Sequence, residues 1–205
     1  MAIIDVSQDV LSGVDKEQAR TFWDVVQITS ASNTITAGTQ ADVFTATSSK
    51  NLTNSNLSQN SMLPIQFSAV IYRFRCQLIG GPASVASGGM VSDDIALIQQ
   101  YGVFQFYRNQ NELVYEVPLM DLGAGGGVAQ VTDAALTTGM VYGSNFAPNN
   151  LDQIPALPTF GQISIAAGMS FRGLLTWSDA VTLASSNDSF ELRMLFDCKL
   201  MKPVS

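Results

Sequence analysis

The segment from Ser61 to Leu122 restricts the folds open to this chain more than any other part. Its pattern predicts a long β-strand over Ile65–Ile79, a glycine-rich connection, a short helix over Asp93–Tyr101 and a β-hairpin over Val103–Leu119. Strands dominate this order of elements, and a single helix interrupts it. The segment therefore favours a mostly antiparallel sheet domain with one embedded helix.

Residues at both ends of the predicted helix support it. Ser92, Asp93 and Asp94 open it, and hydroxyl or carboxylate side chains in a first turn bind the free backbone N–H groups there. Gly102 follows the helix and predicts its C-terminal end. Asp93 and Asp94 also form the best-spaced carboxylate pair of the chain, but a helix start accounts for them better than acid–base chemistry does.

Five further strands are predicted where apolar, β-branched and aromatic residues alternate with polar ones. They cover Thr21–Thr29, Ala41–Thr47, Gln162–Ile165, Ser170–Trp177 and Ser189–Met201. With the long strand and the hairpin they make eight strands, the number found in a jelly roll of two facing sheets. The sequence therefore predicts an all-β fold, a single eight-stranded jelly roll (an antiparallel β-sandwich) with one short helix and a long loop. We expect the jelly-roll domain to span residues 21–205, after an N-terminal arm over residues 1–20.

Two of these strands have distinctive faces. In the long strand, the apolar positions up to Ile71 continue as Arg73, Arg75 and Gln77, so we expect this strand to bend or to leave the core half-way. The last strand alternates without a break. Its predicted inward residues are Phe190, Leu192, Met194, Phe196, Cys198 and Leu200, and its predicted outward residues are Glu191, Arg193, Asp197 and Lys199.

Two cysteines, Cys76 and Cys198, share the apolar faces of their strands. We interpret them as buried free thiols. A disulfide between adjacent strands is an alternative that the sequence leaves open. Two cysteines without any histidine are a poor basis for a metal site.

No strand pattern can be identified between residues 123 and 161, and a loop of about 40 residues is usually functional or partly structured. The loop opens with Gly123–Gly127, which reads Gly-Ala-Gly-Gly-Gly. This run lacks the Lys-Ser/Thr ending of a phosphate-binding loop and opens onto no helical pattern. A flexible connection or close subunit packing explains it better.

The charge of the chain argues against nucleic-acid binding. Seventeen acidic and ten basic residues give a formal net charge of −7, and the basic residues are scattered, whereas binding to phosphates needs a basic footprint. Charged residues make up only 13% of the chain, against about a quarter in ordinary domains. Its neutral, hydrogen-bonding surface can be covered by neighbouring subunits at little desolvation cost. The sequence shows no signal peptide and no transmembrane stretch, so we expect a protein made in the cytoplasm.

Catalytic and metal-binding chemistry is poorly represented. The chain has no histidine, which excludes Ser-His-Asp, Cys-His and histidine-based metal sites. Asp179 and Asp188 flank the polar turn 185–187, and Asp152 lies in an Asn-rich loop, so clustered oxygen ligands leave a calcium site open. Solvated loop carboxylates are the better explanation. We predict no catalytic, cofactor or metal site and hence no enzyme, with a two-carboxylate hydrolase as a minor alternative.

Several aromatic residues could stack sugars or bases, namely Tyr72, Phe104, Phe106, Tyr107 and Tyr115. Their alternation along strands places most of them in the core. The missing basic groove argues against stacked bases.

The order of motifs resembles a known family of capsid proteins. A polar Asn/Gln/Ser loop leads into Leu63-Pro64 and the long strand, followed by a helix ending Gln-Tyr-Gly at Gly102. A Phe-Gln-Phe-Tyr strand, a turn, the stretch Tyr115–Leu119 (Tyr-Glu-Val-Pro-Leu) and a glycine-rich loop then follow. This pattern, over residues 52–128 and again in the final strand, resembles the jelly-roll capsid proteins of tailless icosahedral phages with an internal membrane, of the corticovirus, tectivirus and sphaerolipovirus kinds.

The resemblance implies a viral structural protein, a capsid subunit that self-assembles into an icosahedral shell and resides in the virion. Its implied partners are copies of itself, other capsid proteins and an internal lipid membrane, with no direct contact to nucleic acid. The chain has room for one jelly roll, not two, which implies a single jelly-roll capsid protein, or a minor or penton-type component of such a shell. The alternative is a carbohydrate- or receptor-binding β-sandwich module that uses exposed aromatic residues and the loop Asn145–Asp152.

Overall fold

The computed structural model describes residues 16–29, 34–45, 50, 54–57, 61–63, 66–79, 92–109, 111–122, 162–183 and 189–202. Ten strands and one α-helix are found in this part of the chain. They are β1 (Lys16–Thr29), β2 (Thr34–Ile35), β3 (Thr39–Val43), β4 (Ser68–Ile79), α1 (Ser92–Tyr101), β5 (Gly102–Arg108), β6 (Glu112–Pro118), β7 (Ile163–Ile165), β8 (Phe171–Trp177), β9 (Val181–Thr182) and β10 (Ser189–Lys202). A 3₁₀ turn, Leu119–Asp121, follows β6. Within the described residues, no helix is long and apolar enough to cross a membrane.

Two four-stranded antiparallel sheets form a sandwich, with the orders β1-β10-β4-β7 and β3-β8-β5-β6. Among these eight strands the first pairs with the last, the second with the seventh, the third with the sixth and the fourth with the fifth. Such nested pairing describes one long hairpin whose tip lies between β5 and β6 and which is rolled into two sheets. This is the strand order of a jelly roll, so the predicted fold class is confirmed. The short strands β2 and β9 form a separate pair.

Phenylalanine rings fill the space between the two sheets. The central rings belong to Phe44, Phe74, Phe104, Phe106, Phe171 and Phe196, each with 3% or less of its surface exposed. Neighbouring rings lie at centroid distances typical of edge-to-face or tilted contacts, such as 4.9 Å for Phe44–Phe196 and 5.2 Å for Phe74–Phe104. Each such contact adds about 0.5–1.5 kcal/mol beyond the burial of apolar area. The sandwich is therefore held together mainly by this cluster.

Phe44 reaches the centre of the cluster because the backbone turns sharply after β3. Its φ angle is +64°, a left-handed conformation that is unusual for a bulky residue. Its ring lies beside Gly173 of β8, where an added Cβ would be 3.0 Å from Phe44 Cδ2 and in collision with Val43 Cγ2. A side chain at Gly173 would occupy part of the space that the Phe44 ring fills.

A β-bulge explains why the apolar face of β4 changes half-way, where we expected the strand either to bend or to leave the core. Opposite β10, Ile71 pairs with Cys198 and Arg73 with Asp197, so Tyr72 is the extra residue. An extra residue reverses which positions face inward. The buried residues are accordingly Ala69 and Ile71 before the bulge, and Phe74 and Cys76 after it. The strand stays in the core on both sides of the bulge, from Ala69 to Cys76.

Strand boundaries differ from the predictions where the local pattern is weak. β1 begins at Lys16, five residues before the predicted start, although Glu17 to Arg20 are exposed and show no apolar alternation. This stretch is a strand because it pairs with the end of β10. β3 ends at Val43, where the turn at Phe44 begins, instead of reaching Thr47. The two-residue strands β2 and β9 are too short for a periodic signal.

The helix α1 follows the predicted bounds to within a residue, and its C-terminal end is fixed by packing. Trp177 Nε1 of β8 donates a hydrogen bond of 3.1 Å to the carbonyl oxygen of Ile98. A Cβ at Gly102 would lie 2.5 Å from Leu119 Cδ1 and 2.8 Å from that same carbonyl. Gly102 is thus required for close approach between α1, the 3₁₀ turn and β8.

We predict that Gly173→Ala lowers the free energy of unfolding by about 1–3 kcal/mol, because the added methyl group overpacks the contact with Val43 and Phe44. Urea denaturation followed by tryptophan fluorescence measures this change. Ser164→Thr adds a methyl group at an exposed position of β7 and serves as the control, with an expected change within about 0.5 kcal/mol. Equal stability of Gly173→Ala and the wild type would contradict the packing argument.

Candidate functional site

A shallow cleft opens on the outer face of the β1-β10-β4-β7 sheet, where β1 begins and β10 ends. We name it the Tyr72 cleft. Its volume is ≈ 560 Å³, and its lining residues are Glu17, Gln18, Ala19, Val70, Tyr72, Gln162 and Lys199. Ala19, Lys199 and Val70 are neighbours across three adjacent strands. Small apolar side chains therefore flank the aliphatic stem of a lysine on the floor of the cleft.

The bulge in β4 gives the cleft its aromatic wall. Buried Ile71 and buried Phe74 face the core, so the two residues between them, Tyr72 and Arg73, both lie outside it. Burial, and to a lesser degree the nearby carboxylate of Asp197, raise the pKa of Tyr72 above its ordinary value of 10.0. The phenol consequently remains protonated at neutral pH and is a hydrogen-bond donor.

The charged groups of the cleft balance each other. Lys199 Nζ lies 2.6 Å from Glu17 Oε2, and both side chains are about half exposed, at 47% and 51%. The other polar groups of the lining are the two amides, Gln18 and Gln162, and the Tyr72 hydroxyl. The cleft is thus polar but without net charge.

Beside the cleft lies Asp197, which was predicted as an outward residue of the last strand. It does point away from the core, yet only 7% of it is exposed. Thr21 Oγ1 donates to Asp197 Oδ1 at 2.6 Å, and Arg75 Nη2 donates to the same atom at 2.8 Å. These bonds link β1, β10 and β4 across the outer face, which compensates for the desolvation of the carboxylate.

A second buried carboxylate, Asp24, lies on the inward face of β1 and is 0% exposed. Lys50 Nζ is 2.7 Å from both carboxylate oxygens, and the backbone N–H of Thr45 donates to Oδ2 at 3.1 Å. Burial raises the pKa of Asp24 above its ordinary value of 3.8, and the hydrogen bond and charge of Lys50 oppose that rise. Sequence analysis missed this pair, although an aspartate at an apolar position between Phe22 and Val26 was an available signal.

Two of the four edge strands of the sandwich, β1 and β6, are closed or interrupted. The outer edge of β1 is covered by the chain itself: Val25 N donates to Asn54 O at 2.7 Å, and Asn56 N donates to Trp23 O at 3.3 Å. The Asn56 side chain adds two further bonds, accepting from Trp23 N and donating to Thr21 O.

In the second sheet, the edge strand β6 carries several features that discourage pairing with another strand. A bulge at Val114 interrupts its ladder with β5. Pro118 ends it without a backbone donor, and exposed Glu112 and Glu116 add charge. Backbone pairing between molecules is therefore disfavoured at both β1 and β6.

The predicted carboxylate candidates are not brought together in the described residues. Asp93 and Asp94 lie in the first turn of α1, as a helix start requires. Asp179 is exposed between β8 and β9, where Ser178 Oγ donates to it at 3.4 Å. Asp152 and Asp188, the loop 145–152 and Gly123–Gly127 lie outside the described residues, as do residues 1–15 of the predicted arm. Among the residues that the structure does describe, no group of three or more His, Cys, Asp or Glu side chains could hold a metal ion.

The aromatic candidates divide between core and surface. Phe104 and Phe106 are fully buried in the core, and Tyr115 stacks on Phe74 at 5.1 Å, as alternation predicted. Tyr107 lies on the outer face of the second sheet, with the Arg172 guanidinium 4.8 Å from its ring centre. Tyr72 is the one of the five that lines the cleft.

Both cysteines are buried free thiols, as predicted. Cys76 lies opposite Met194 and Cys198 opposite Ile71, so the register keeps the two thiols apart. Burial raises the pKa of each thiol to about 12.

Comparisons with protein-family models, with curated proteins and with solved structures find no match to this chain.

We predict that Lys50→Met lowers the free energy of unfolding by about 3–5 kcal/mol at neutral pH, because it leaves the Asp24 carboxylate buried without its partner. Protonation relieves that loss. A carboxyl whose pKa is raised on folding favours the folded state at low pH, and this contribution disappears as the pH rises through the folded pKa. The variant should therefore lose less stability near about pH 5 than near about pH 8.

Denaturation curves at the two pH values measure this effect, with the wild type as reference at each pH. Lys199→Met is the matched control, because its partner Glu17 is half exposed and exposed pairs contribute only about 0–1 kcal/mol. A second substitution, Asp24→Asn, should recover part of the stability of Lys50→Met by removing the stranded charge. A loss for Lys50→Met that does not change with pH would contradict the desolvation argument.

Thiol labelling tests the burial of the cysteines. A thiol whose pKa is about 12 is almost entirely protonated at neutral pH and reacts poorly. We expect no labelling by a disulfide-exchange reagent in the folded protein and labelling of both thiols in denaturant. Rapid labelling of either thiol under native conditions would show that its strand opens or that the thiol is accessible.

Proposed function

We propose that this chain is a viral structural protein, a capsid subunit that assembles with copies of itself and with other capsid proteins into an icosahedral shell. The observation that carries the proposal is the complete jelly-roll strand order in two four-stranded sheets, an architecture used in viral capsids and also in lectins and cupins. Fold alone does not determine function. The proposal therefore also rests on how the interior is packed and on which side chains the surface exposes.

The interior supports a building block over a ligand carrier. Jelly-roll proteins that bind a ligand between their sheets need space there, whereas phenylalanine rings pack against each other across this sandwich. Phe44, at the end of β3 in one sheet, lies 4.9 Å from Phe196 of the other sheet, and Phe74 lies 5.2 Å from Phe104 across the same interior. A densely packed interior gives a rigid unit whose outer surfaces are available for contacts.

The edges narrow the proposed mode of assembly. The edge of β1 is covered by residues 54–57 around Trp23 and Val25, and β6 is bulged and ends in Pro118. We therefore propose contacts through side-chain packing on the faces and ends of the sandwich. The proposed partners also include an internal lipid membrane. They do not include nucleic acid.

One apolar patch suits such a contact. Met120, in the 3₁₀ turn after β6, is 54% exposed, and Tyr101, at the end of α1, is 39% exposed. Val103, two residues after Tyr101, pairs with Pro118, two residues before Met120, which places both large side chains at the same end of the β3-β8-β5-β6 sheet. Exposed apolar groups gathered at one place are typical of association surfaces.

Light scattering combined with negative-stain electron microscopy of the purified chain tests assembly. Trimers, pentamers, sheets or shells would support the proposal and would identify its symmetry. A protein that stays monomeric at every concentration, and that is absent from purified virus particles, would refute it. Flotation with lipid vesicles tests the membrane partner separately.

We predict that Met120→Asp shifts the assembled species toward monomer, because it places a charge in an apolar contact. The melting temperature should hardly change, since Met120 is more than half exposed. Gln40→Asp introduces the same side chain at an exposed position of β3, the strand at the other edge of that sheet, and should leave assembly intact. Equal assembly of both variants would remove the Tyr101–Met120 patch from the proposed interface.

A further inference from the structure

We propose that the Tyr72 cleft is a binding site for a neutral carbohydrate of one or two sugar rings. The proposal does not depend on the capsid role. The cleft lies on the outer face of the β1-β10-β4-β7 sheet, away from the Tyr101–Met120 patch, and its side chains are not part of the core. It gives a ligand class and a location to the carbohydrate-binding alternative, which the sequence had placed near residues 145–152.

The size and position of the cleft fit a small ligand. Its volume of ≈ 560 Å³ falls within the range of roughly 300–1,000 Å³ that small-molecule sites occupy. It is built on three adjacent strands, with Ala19, Lys199 and Val70 side by side in the ladder. A site based on hydrogen-bonded strands holds its groups more rigidly than a loop does.

The bulge in β4 is the structural device that points to a ligand. It places two consecutive side chains, Tyr72 and Arg73, outside the core between buried Ile71 and Phe74. Bulges commonly re-orient a side chain next to a binding site. Tyr72 thereby presents a partly exposed ring beside the aliphatic floor formed by Ala19 and Val70, and sugar rings have a C–H face that packs on such a surface.

The polar groups of the cleft specify the chemistry of the ligand. The amides of Gln18 and Gln162 each donate and accept hydrogen bonds, and the protonated Tyr72 hydroxyl does the same. Hydroxyl groups of a sugar need such paired donors and acceptors. Glu17 and Lys199 form an ion pair of 2.6 Å, so the cleft offers a ligand no net charge, and both groups can also bond to hydroxyls.

The full-length chain should be tested by saturation-transfer difference NMR against a defined panel. The panel contains the methyl glycosides of glucose, galactose, mannose, N-acetylglucosamine and N-acetylgalactosamine, together with sialic acid as an anionic sugar. Saturation transfer works for monomers and for large assemblies, so the result does not depend on whether the chain assembles. We expect transfer to at least one neutral sugar and none to sialic acid.

Substitutions then locate the site. Tyr72→Ala should raise the dissociation constant of the bound sugar about tenfold, the effect of losing a central aromatic contact. Gln162→Ala should raise it as well. Tyr72→Phe should retain most of the affinity because the ring remains. Tyr107→Ala removes a tyrosine from the outer face of the other sheet and should leave binding unchanged. Thermal unfolding of each variant establishes that it is folded.

Three results would overturn the proposal. The first is the absence of saturation transfer to every neutral sugar of the panel. The second is a preference for sialic acid, which would indicate an anion site instead. The third is sugar binding that Tyr72→Ala and Tyr107→Ala affect equally, which would place the sugar elsewhere. None of these results bears on assembly, which light scattering measures independently.

Discussion

The contact between Phe44 and Gly173 determines how the two sheets meet. The left-handed backbone at Phe44 ends β3 and turns the ring inward. Gly173 leaves room for that ring beside β8, and the ring then reaches Phe196 of the opposite sheet at 4.9 Å. Phe106 and Phe171, on strands adjacent in the ladder, pack around the same point. The conformational cost of a positive φ at a bulky residue is offset by the burial and edge-to-face contacts of this ring.

The two carboxylates that this sandwich buries, Asp24 and Asp197, have hydrogen-bond partners, and these bonds join segments that are distant in sequence. Asp24 binds Lys50 and the backbone at Thr45, which fastens the chain after β3 to β1. Asp197 binds Thr21 and Arg75 and so links three strands of one sheet. Each carboxylate would be costly if left alone in the interior. In both places an acidic residue therefore joins distant segments of the fold through its partners.

A single irregularity, the bulge at Tyr72, connects the core with the surface. Without the extra residue, the pattern of β4 would turn Phe74 and Cys76 outward and place Arg73 and Arg75 in the core. With it, the inner face of the strand is apolar and buried from Ala69 to Cys76, and Tyr72 lies beside the cleft. The same feature thus settles the burial of half a strand and supplies the aromatic wall of the proposed sugar site.

Local sequence determined most of the elements of this protein. Alternation identified the eight strands of the sandwich, the hairpin around residue 109 and the burial of Cys76 and Cys198, because a strand has a fixed period of two residues. The sequence also contained Tyr72 as an aromatic candidate, but not its place in a cleft.

Tertiary structure alone decided the register of the strands and which polar side chains are buried and hydrogen-bonded. Four features depend on which strand lies opposite. They are the early start of β1, the bulge in β4, the burial of Asp24 and the bond between Thr21 and Asp197, which are 176 residues apart. Local periodicity carries no information about that partner, since pairing between distant strands is selected by the packing of the whole core. The sequence by itself therefore determined what the strands are, and the packed sandwich decided how they pair and which side chains they bury.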